Sequence, residues 1–321
     1  MESVSKTSVT NTTAVYSRWK YFEPKFEYEA ELDDRDQPWA GHKQFAYDLI
    51  RNFKPATVVE LGTHWGTSFF AMSQGVKDAG LKSELMAIDT WHGDKHAGVY
   101  GEEVFEKVKE LQSRYYPRLK IKLLRLTFDA ALNNFADGTI DLLHIDGLHT
   151  YDAVKHDFNN WLPKVNPKGI IIFHDTHELS HDFGVYKLWA ELKKDYPTLE
   201  FNHSHGLGIL FLDRQIYNQF AGDSTPWKQY YQAQSLIRQA ELAAETAARL
   251  ESGLKEEQRR AKELLRELAL TEENRELERK IEEMKRHVTN LETILGGIGN
   301  SKVFRLLLLP GSLRKAFGGK R

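Results

Sequence analysis

From residue 40 to about residue 213, short apolar segments alternate with segments whose apolar residues recur at helical spacing. The apolar segments contain few polar positions, which is typical of strands covered on both faces. This alternation predicts an α/β domain with a doubly wound, mainly parallel sheet. The predicted strands are Thr57–Leu61, Glu84–Asp89, Ile121–Leu126, Asp141–Asp146, Gly169–Asp175 and Gly206–Leu212. The predicted helices are Ser68–Ala79, Glu103–Tyr115, Ala130–Phe135, Tyr151–Trp161 and Val185–Asp195.

The pattern changes between residues 228 and 295, where Ala, Glu, Leu, Lys and Arg dominate and proline is absent. This composition predicts one long helix. A heptad repeat fits its second part, with Asn274, Ile281, Val288 and Leu295 at a, and Leu270, Leu277, Met284 and Leu291 at d. The upstream leucines follow another frame, so the repeat slips near residues 268–270. We expect a coiled coil that pairs two copies of the chain in parallel; the alternative is a helix that packs back on its own domain.

The chain therefore divides into four segments. Residues 1–36 comprise a Ser/Thr/Asn-rich start, expected to be disordered, and an aromatic and acidic arm that packs on the domain or covers its site. Residues 37–222 form the α/β domain, which we expect to fold without the coiled coil of residues 228–295. Residues 300–321 form a basic tail, in which 301–321 hold six basic residues and no acid. This tail predicts binding to an anionic membrane surface; the alternative is that it packs on the partner chain.

Composition and charge narrow the function. The chain has no cysteine, which excludes disulfides, thiolate metal sites and a cysteine nucleophile. It shows neither a signal peptide nor an apolar run of membrane-spanning length. Residues 226–321 carry a net charge of +5 and the preceding residues −7. We expect a cytoplasmic protein, peripheral at the inner face of the membrane, whose charged helix faces are solvated and bind no nucleic acid.

A turn rich in glycine follows the first predicted strand and precedes a helix. It reads Glu60-Leu61-Gly62-Thr63-His64-Trp65-Gly66-Thr67-Ser68. Glycine allows a sharp turn and close approach to a ligand, and the helix N-terminus offers free N–H groups. The turn is neither GxGxxG nor a P-loop, which favours a nucleoside ligand without phosphate. Asp89 ends the second strand, where a doubly wound fold places an acid on ribose hydroxyls; the alternative is that it fixes a loop.

The segments VVELGTHWGTS, AIDTW and IDLLHIDGLHTYDAVKHDFNNWLPKVNPKGIIIFHDT resemble class I S-adenosylmethionine-dependent methyltransferases. The similarity covers roughly residues 40–213 and is greatest to sugar O-methyltransferases and cephalosporin-hydroxylase-like proteins. It implies a Rossmann-like fold. It also implies that the cofactor S-adenosylmethionine contacts Glu60, Gly62, Thr63, Gly66 and Ser68, and that Asp89 binds its ribose.

Polar residues follow the fourth and fifth predicted strands. Asp146 and Asp175 come at adjacent carboxyl ends, so they converge and suggest a divalent cation; the alternative is that each acid caps a loop. In the resembled sugar methyltransferases a base histidine lies three residues after a metal-binding aspartate, a spacing that Asp146 and His149 share. The resemblance therefore assigns His149 as the catalytic base, and Asp146, His174 and Asp175 as ligands of Mg²⁺ or Mn²⁺. His174 replaces an acid of the family, which favours the softer Mn²⁺.

Other polar residues near these strands receive different interpretations. His177 is a further candidate ligand or substrate contact. By the resemblance, Asp129 lies near the adenine of the cofactor. His144 lies within a strand and is expected in the core, whereas His156 and Asp157 are expected on a solvated helix face.

Three functions remain open at this point. The first is O-methylation of a sugar hydroxyl in a bacterial surface polysaccharide or its lipid-linked precursor. The second is a non-catalytic coiled-coil scaffold for glycan enzymes. The third is a methyltransferase for a small molecule of secondary metabolism.

Overall fold

A computed structural model describes residues 19–32, 38–221, 225–270 and 274–300. Within these ranges the strands are β1 (Thr57–Leu61), β2 (Glu84–Asp89), β3 (Gly93–Asp94), β4 (Gly98–Val99), β5 (Lys120–Arg125), β6 (Ile140–Ile145), β7 (Val165–His174), β8 (Thr198–Phe201) and β9 (Leu207–Phe211). The α-helices are α1 (Lys43–Phe53), α2 (Thr67–Asp78), α3 (Glu102–Tyr115), α4 (Phe128–Ala131), α5 (Tyr151–Trp161), α6 (Val185–Asp195), α7 (Arg214–Ala221), α8 (Thr225–Leu270) and α9 (Asn274–Asn300).

The main sheet has seven strands in the order β5-β2-β1-β6-β7-β9-β8. The first five in this order are parallel, and β9 runs antiparallel to both β7 and β8. Strand order reverses between β1 and β6, which places a ligand crevice at their carboxyl ends. The predicted doubly wound, Rossmann-like α/β fold is therefore confirmed. The sequence did not predict β8, or the small hairpin of β3 and β4.

The sheet is covered on both faces because successive residues of its central strands point to opposite sides. Val58 and Leu142 belong to the core under α1, α2 and α3, whereas Val59 and Leu143 belong to the core under α5 and α6. This two-sided burial explains why the strands read as uninterrupted apolar segments. It also holds the loops at the strand ends on a rigid base.

The beginning of α8 belongs to the core of the α/β domain. Trp227 is 2% exposed and Tyr231 is 1% exposed. Trp227 stacks on Phe45 of α1, and the Tyr231 hydroxyl donates a hydrogen bond to Asp48 of the same helix. The expectation that the domain folds without the segment after residue 228 therefore overlooked part of its core.

The expectation of one continuous helix from 228 to 295 is wrong, because the structure has two helices that pack against each other. Only residues 271–273 lie between α8 and α9 in the sequence. The predicted a and d positions do form the packing face: Ile281 is 5% exposed, and Leu277, Met284 and Val288 are half-buried. Their partner is α8 of the same chain and not the α/β domain that the alternative expected; pairing with a second copy of the chain stays a prediction.

The described part of the arm packs on the domain, as one of its two interpretations predicts. Trp19 stacks on Phe45 and Trp227, and the Tyr28 hydroxyl donates to the carbonyl of Thr67 in α2. The expectations for residues 1–15 and for the tail of residues 301–321 lie outside the described residues. None of the described helices combines the length and apolar character that a membrane span requires.

Candidate functional site

A cleft of about 520 Å³ opens at the carboxyl ends of β1, β2, β6 and β7. The glycine turn after β1 forms one side of it, and the loops after β6 and β7 form the other. The 3₁₀ turn Pro38–His42 and the β3–β4 hairpin complete the walls. The cleft is therefore where the strand order and the sequence both predict a ligand site.

The glycine turn runs close to the neighbouring strand end. Gly62 has a φ of +87°, and a Cβ atom there would lie 2.0 Å from the carbonyl oxygen of Asp146. Gly66 also has a φ of +87° and is the N-cap residue of α2. Its N–H donates to the carbonyl of Thr63 at 2.7 Å. Both glycines are thus required by the backbone, and they aim the N-terminus of α2 at the cleft.

Two buried hydroxyls of the turn and one buried indole N–H beside His174 have no hydrogen-bond partner among the described residues. They are the hydroxyls of Thr63 and Thr67 and the indole N–H of Trp39. All three residues line the cleft. Because an unpaired buried polar group is unfavourable, these atoms fit a polar ligand such as the amino and carboxylate groups of a bound methionine. Trp39 precedes the first strand and lies outside the motif, so the sequence did not reveal it.

Asp89 fixes the loops around the cleft. One carboxylate oxygen accepts hydrogen bonds from the N–H groups of Thr63 and His64, each at 2.9 Å, and the other accepts one from Trp91 N–H at 2.7 Å. This arrangement agrees with the alternative of a loop-fixing acid. Asp89 also lines the cleft, and a carboxylate can accept about four hydrogen bonds. Ribose binding by Asp89 therefore stays a prediction.

Glu60 lies behind the glycine turn. It is fully buried, and one oxygen accepts hydrogen bonds from the Ser68 hydroxyl at 2.5 Å and from the ring of His144 at 2.9 Å. Ser68 lines the cleft, but Glu60 does not. Glu60 thus reaches the cleft wall through Ser68, and a contact of Glu60 with the cofactor stays a prediction. The core position predicted for His144 is confirmed.

Three side chains converge on the opposite side of the cleft. His149 Nε2 lies 3.0 Å from Asp175 Oδ2 and 3.4 Å from Asp146 Oδ1. One ligand atom from each of the three residues lies within 4.8 Å of the others. Asp146 and Asp175 thus converge as predicted, and His149 joins them. That this cluster holds a cation stays a prediction, since acidic groups also converge without one.

His174, the remaining predicted ligand, contacts both carboxylates of the cluster. Its Nδ1 atom lies 3.4 Å from Asp146 Oδ1 and 3.3 Å from Asp175 Oδ2. Its Nε2 atom donates to the carbonyl of Ser204 at 3.2 Å. A backbone carbonyl on one ring nitrogen is the usual way to orient the other nitrogen of a metal-binding histidine.

The charges of the cluster depend on one another. Burial opposes charge on His149, but its hydrogen bonds to Asp146 and Asp175 outweigh burial and raise its pKa to about 9. Burial also opposes charge on His174, and the same carboxylates raise its pKa well above the usual value. Burial disfavours both carboxylates, yet His174 and His149 hold their pKa values below the ordinary range. As two carboxylates and two imidazolium rings, the cluster is nearly neutral, and His149 must lose its proton before it can act as a base.

The structure changes three of the lesser interpretations. His177 Nε2 is hydrogen-bonded to Glu200 at 2.8 Å and does not line the cleft. Asp129 is exposed and pairs with His156 on the surface. Asp157 is only 7% exposed, so the predicted solvated position is wrong. Burial raises the pKa of Asp157 to about 7.

His205 and His96 also line the cleft, and the sequence did not single them out. His205 Nδ1 lies 3.3 Å from Asp175 Oδ1, because β9 is antiparallel to β7 and therefore starts at the edge where β7 ends. His96 comes from the β3–β4 hairpin and its Nε2 contacts Asp182 at 2.5 Å. Phe183 stacks on His149 with the ring centroids 4.8 Å apart.

Parts of the chain are similar in sequence to known proteins. Residues 59–176 match the family model described as "Methyltransferase domain". The uncharacterized protein y4gI of Sinorhizobium fredii is 45% identical over 183 residues, which are 57% of this chain and 20% of that protein. The uncharacterized protein R132 of Acanthamoeba polyphaga mimivirus is 31% identical over 125 residues, which are 38% of this chain and 52% of that protein. The chain thus spans about a fifth and about half of these two relatives.

Among solved structures, the S-adenosylhomocysteine-bound methyltransferase PaMTH1 of Podospora anserina is similar with a TM-score of 0.42 and 15% identity. The similarity covers 60% of this chain and 98% of that one. A similarity of this size is too low to assign an activity. The family match includes β1, β2, β6, β7 and the loops that carry the cleft. The residues that form the cleft therefore match a methyltransferase domain, and the sheet around them has the doubly wound, Rossmann-like strand order.

Proposed function

We propose that the chain transfers a methyl group from S-adenosylmethionine to a sugar hydroxyl, in a surface polysaccharide or its lipid-linked precursor. The observation that carries this proposal is the cleft itself. It joins the glycine turn of the methyltransferase domain to the cluster of Asp146, His149 and Asp175. One side suits a cofactor, and the other suits the activation of a weak nucleophile.

The cofactor side fits S-adenosylmethionine in shape and in polarity. Gly62 and Gly66 let the turn pack closely against Asp146 and Phe70, which directs the N-terminus of α2 towards the cleft. The unpaired hydroxyls of Thr63 and Thr67 and the indole of Trp39 would bind the methionine end. Ser68, held by Glu60, lies on the same wall. S-adenosylmethionine supplies the electrophilic methyl group when it is bound.

The acceptor side would orient the hydroxyl and take its proton. A hydroxyl is a poor nucleophile at neutral pH, so a base at hydrogen-bond distance accelerates the transfer. His149 is the candidate base. Asp146 and Asp175 hold its Nε2 atom, and Phe183 holds its ring by stacking. This arrangement favours an acceptor with a hydroxyl over one with an amine, which needs less activation.

A divalent cation also fits this side. Asp146 and Asp175 offer carboxylate oxygens, and His174 presents Nδ1 to both because Ser204 binds its Nε2. The mixture of oxygen and imidazole ligands suits Mn²⁺ or Mg²⁺. Such an ion would lower the pKa of the acceptor hydroxyl. His149 lies within the same cluster, so it would serve either as a further ligand or as the base.

Mass spectrometry of methylated products tests the proposed function. The purified chain is incubated with isotopically labelled S-adenosylmethionine, a panel of glycans and lipid-linked sugars, and either Mn²⁺ or a chelator. A matched reaction contains the His149→Ala variant. We expect label in a sugar methyl ether with the native chain and its loss with the variant.

Each other outcome contradicts a defined part of the proposal. Label in a small phenolic or other non-sugar product would overturn the acceptor class and favour secondary metabolism. Full activity in excess chelator would remove the cation and leave His149 as a base by itself. Cofactor binding without turnover on any acceptor would favour the scaffold hypothesis.

A further inference from the structure

We infer that Ser235 of α8 is a positioning residue for the active site, and that it acts through the turn of residues 203–206. This inference rests on the proposed function, because it concerns the same cluster of side chains. It assigns a role to α8, which the methyltransferase family match does not include.

The 203–206 turn has an unusual backbone. Ser204, His205 and Gly206 have φ values of +50°, +64° and +90°. The left-handed region disfavours residues with a side chain, so two of them in succession must be held in place by their surroundings. Such strain is commonly found where a protein positions functional groups.

One side of the turn holds the acid–histidine cluster. The carbonyl of Ser204 accepts the Nε2–H of His174 at 3.2 Å, and the carbonyl of His205 accepts the N–H of His177 at 2.7 Å. The His205 ring lies 3.3 Å from Asp175. The position of the turn therefore decides the orientation of two of the histidines that line the cleft.

The opposite side of the turn rests on α8. The Ser204 hydroxyl lies 3.2 Å from the hydroxyl of Ser235, which is 1% exposed. Gly41 leaves the space for this contact, since a Cβ atom there would come within 2.0 Å of the Ser204 hydroxyl and 2.5 Å of the Ser235 hydroxyl. His42 also binds the Ser204 carbonyl, at 3.2 Å. Ser204 is thus held between α8 and the cluster.

These contacts predict that Ser235 influences catalysis, although α8 does not line the cleft. Without the Ser235 hydroxyl, the strained turn loses one of its supports, and the Ser204 carbonyl no longer fixes the His174 ring. The partners that orient site histidines are known to influence activity and metal affinity strongly. The glycine turn lies on the other wall of the cleft, so cofactor binding should be unaffected.

Two substitutions and one control test the inference in the full chain. Ser235→Ala removes one hydroxyl, whereas Gly41→Ala keeps both hydroxyls and forces them apart. Ser252→Ala makes the same chemical change as Ser235→Ala at an exposed position of the same helix. The measurements are kcat, the dissociation constant of S-adenosylmethionine, the melting temperature, and ¹⁵N spectra of labelled histidine rings.

We expect Ser235→Ala to lower kcat roughly three- to tenfold, the effect of one hydrogen bond. Gly41→Ala should lower kcat about 10- to 100-fold, as changes to partners of site histidines do. Ser235→Ala should bind S-adenosylmethionine within about twofold of the native chain, because the lost interaction serves the reaction and not cofactor binding. The ring signals of His174 and His42 should shift in both variants, whereas that of exposed His156 should not.

A lower melting temperature with native kcat and native His174 signals in both variants would overturn the inference, because the contact would then be structural only. Failure of the proposed function gives a different result. If the native chain methylates no acceptor, the spectra of the histidine rings alone test the inference about Ser235. Shifted His174 signals in the two variants, but not in Ser252→Ala, would support the inference, and unshifted signals would overturn it.

Discussion

Replacement of Gly62 by alanine tests the geometry of the glycine turn. The φ of +87° at this position is one that side-chain-bearing residues rarely adopt. A Cβ atom would lie 2.0 Å from the carbonyl oxygen of Asp146 and 2.7 Å from its carbonyl carbon. Both atoms belong to the backbone that follows β6, so they cannot rotate away as a side chain would. The glycine turn must therefore shift from its present position, which is the one that we assign to cofactor binding.

The size of the effect follows from two contributions. A left-handed backbone costs a residue with a side chain about 1–2 kcal/mol. Forcing an extra carbon into a filled space costs about 1–3 kcal/mol more. Their sum is about 2–5 kcal/mol, and since 1.4 kcal/mol is about a tenfold change in a binding constant, the affinity for S-adenosylmethionine should fall at least about 30-fold.

Isothermal titration calorimetry with S-adenosylmethionine measures this loss. Gly80→Ala is the matched control, because Gly80 also has a positive φ, of +62°, but nothing lies within 4 Å of the added carbon. Gly80→Ala should lower stability through the backbone strain and leave the affinity unchanged. Native affinity in the Gly62→Ala variant would refute the assignment of this turn to the cofactor.

Three further predictions concern catalysis, pH and domain organisation. His149→Ala should keep cofactor affinity and lower kcat by about 10²–10⁴, with surface His156→Ala as the control; equal activity of the two variants would exclude His149 as the base. Burial raises the pKa of Asp48 from its ordinary value of 3.8 to about 7. The favourable contribution of this side chain to the free energy of unfolding is therefore complete below the lower pKa and is lost as the pH rises through the higher one. Relative to Asp48→Asn, the unfolding free energy of the native chain should fall by up to about 1.4 kcal/mol per pH unit between these values. If urea titrations give unfolding free energies that change with pH equally in the native chain and the variant, this prediction is wrong. A chain ending at residue 224 loses Trp227 and Tyr231, each of which contributes about 3–5 kcal/mol, so it should not fold. A chain ending at residue 250 should fold. Cooperative thermal unfolding of the chain ending at residue 224 would show that the α/β domain folds without α8.

The sheet could be predicted because its central strands are covered on both faces. Their continuous apolar segments mark β1 and β2 to the residue, whereas β8 has four residues and lies at the edge, where the apolar signal is weak. The division into α8 and α9 gave no such signal, since the sequence of residues 271–273 contains neither glycine nor proline. The slip of the heptad frame near residues 268–270 coincides with the end of α8 at Leu270. The heptad face itself was correct, but periodicity cannot distinguish a partner helix in another chain from one in the same chain.

The site was predictable where the sequence follows the sheet. Asp146, His149 and Asp175 come directly after parallel strands, so topology brings them to one edge. Trp39 precedes the first strand, and His205 precedes an antiparallel strand, so neither has a position that a parallel pattern marks. Glu60 was placed in the cofactor site by its neighbours in sequence, yet its side chain points behind the turn. The homodimer and the membrane contact of residues 301–321 stay predictions.

A crystal structure of the chain with S-adenosylhomocysteine and Mn²⁺ tests most directly whether this cleft is the site of methyl transfer. We predict that the homocysteine part lies against residues 62–68, with its sulfur facing His149. We also predict an anomalous manganese signal at Asp146 and Asp175. Density for S-adenosylhomocysteine at another place on the chain, or none in the cleft at a saturating concentration, would contradict the assignment of this cleft as the site of methyl transfer.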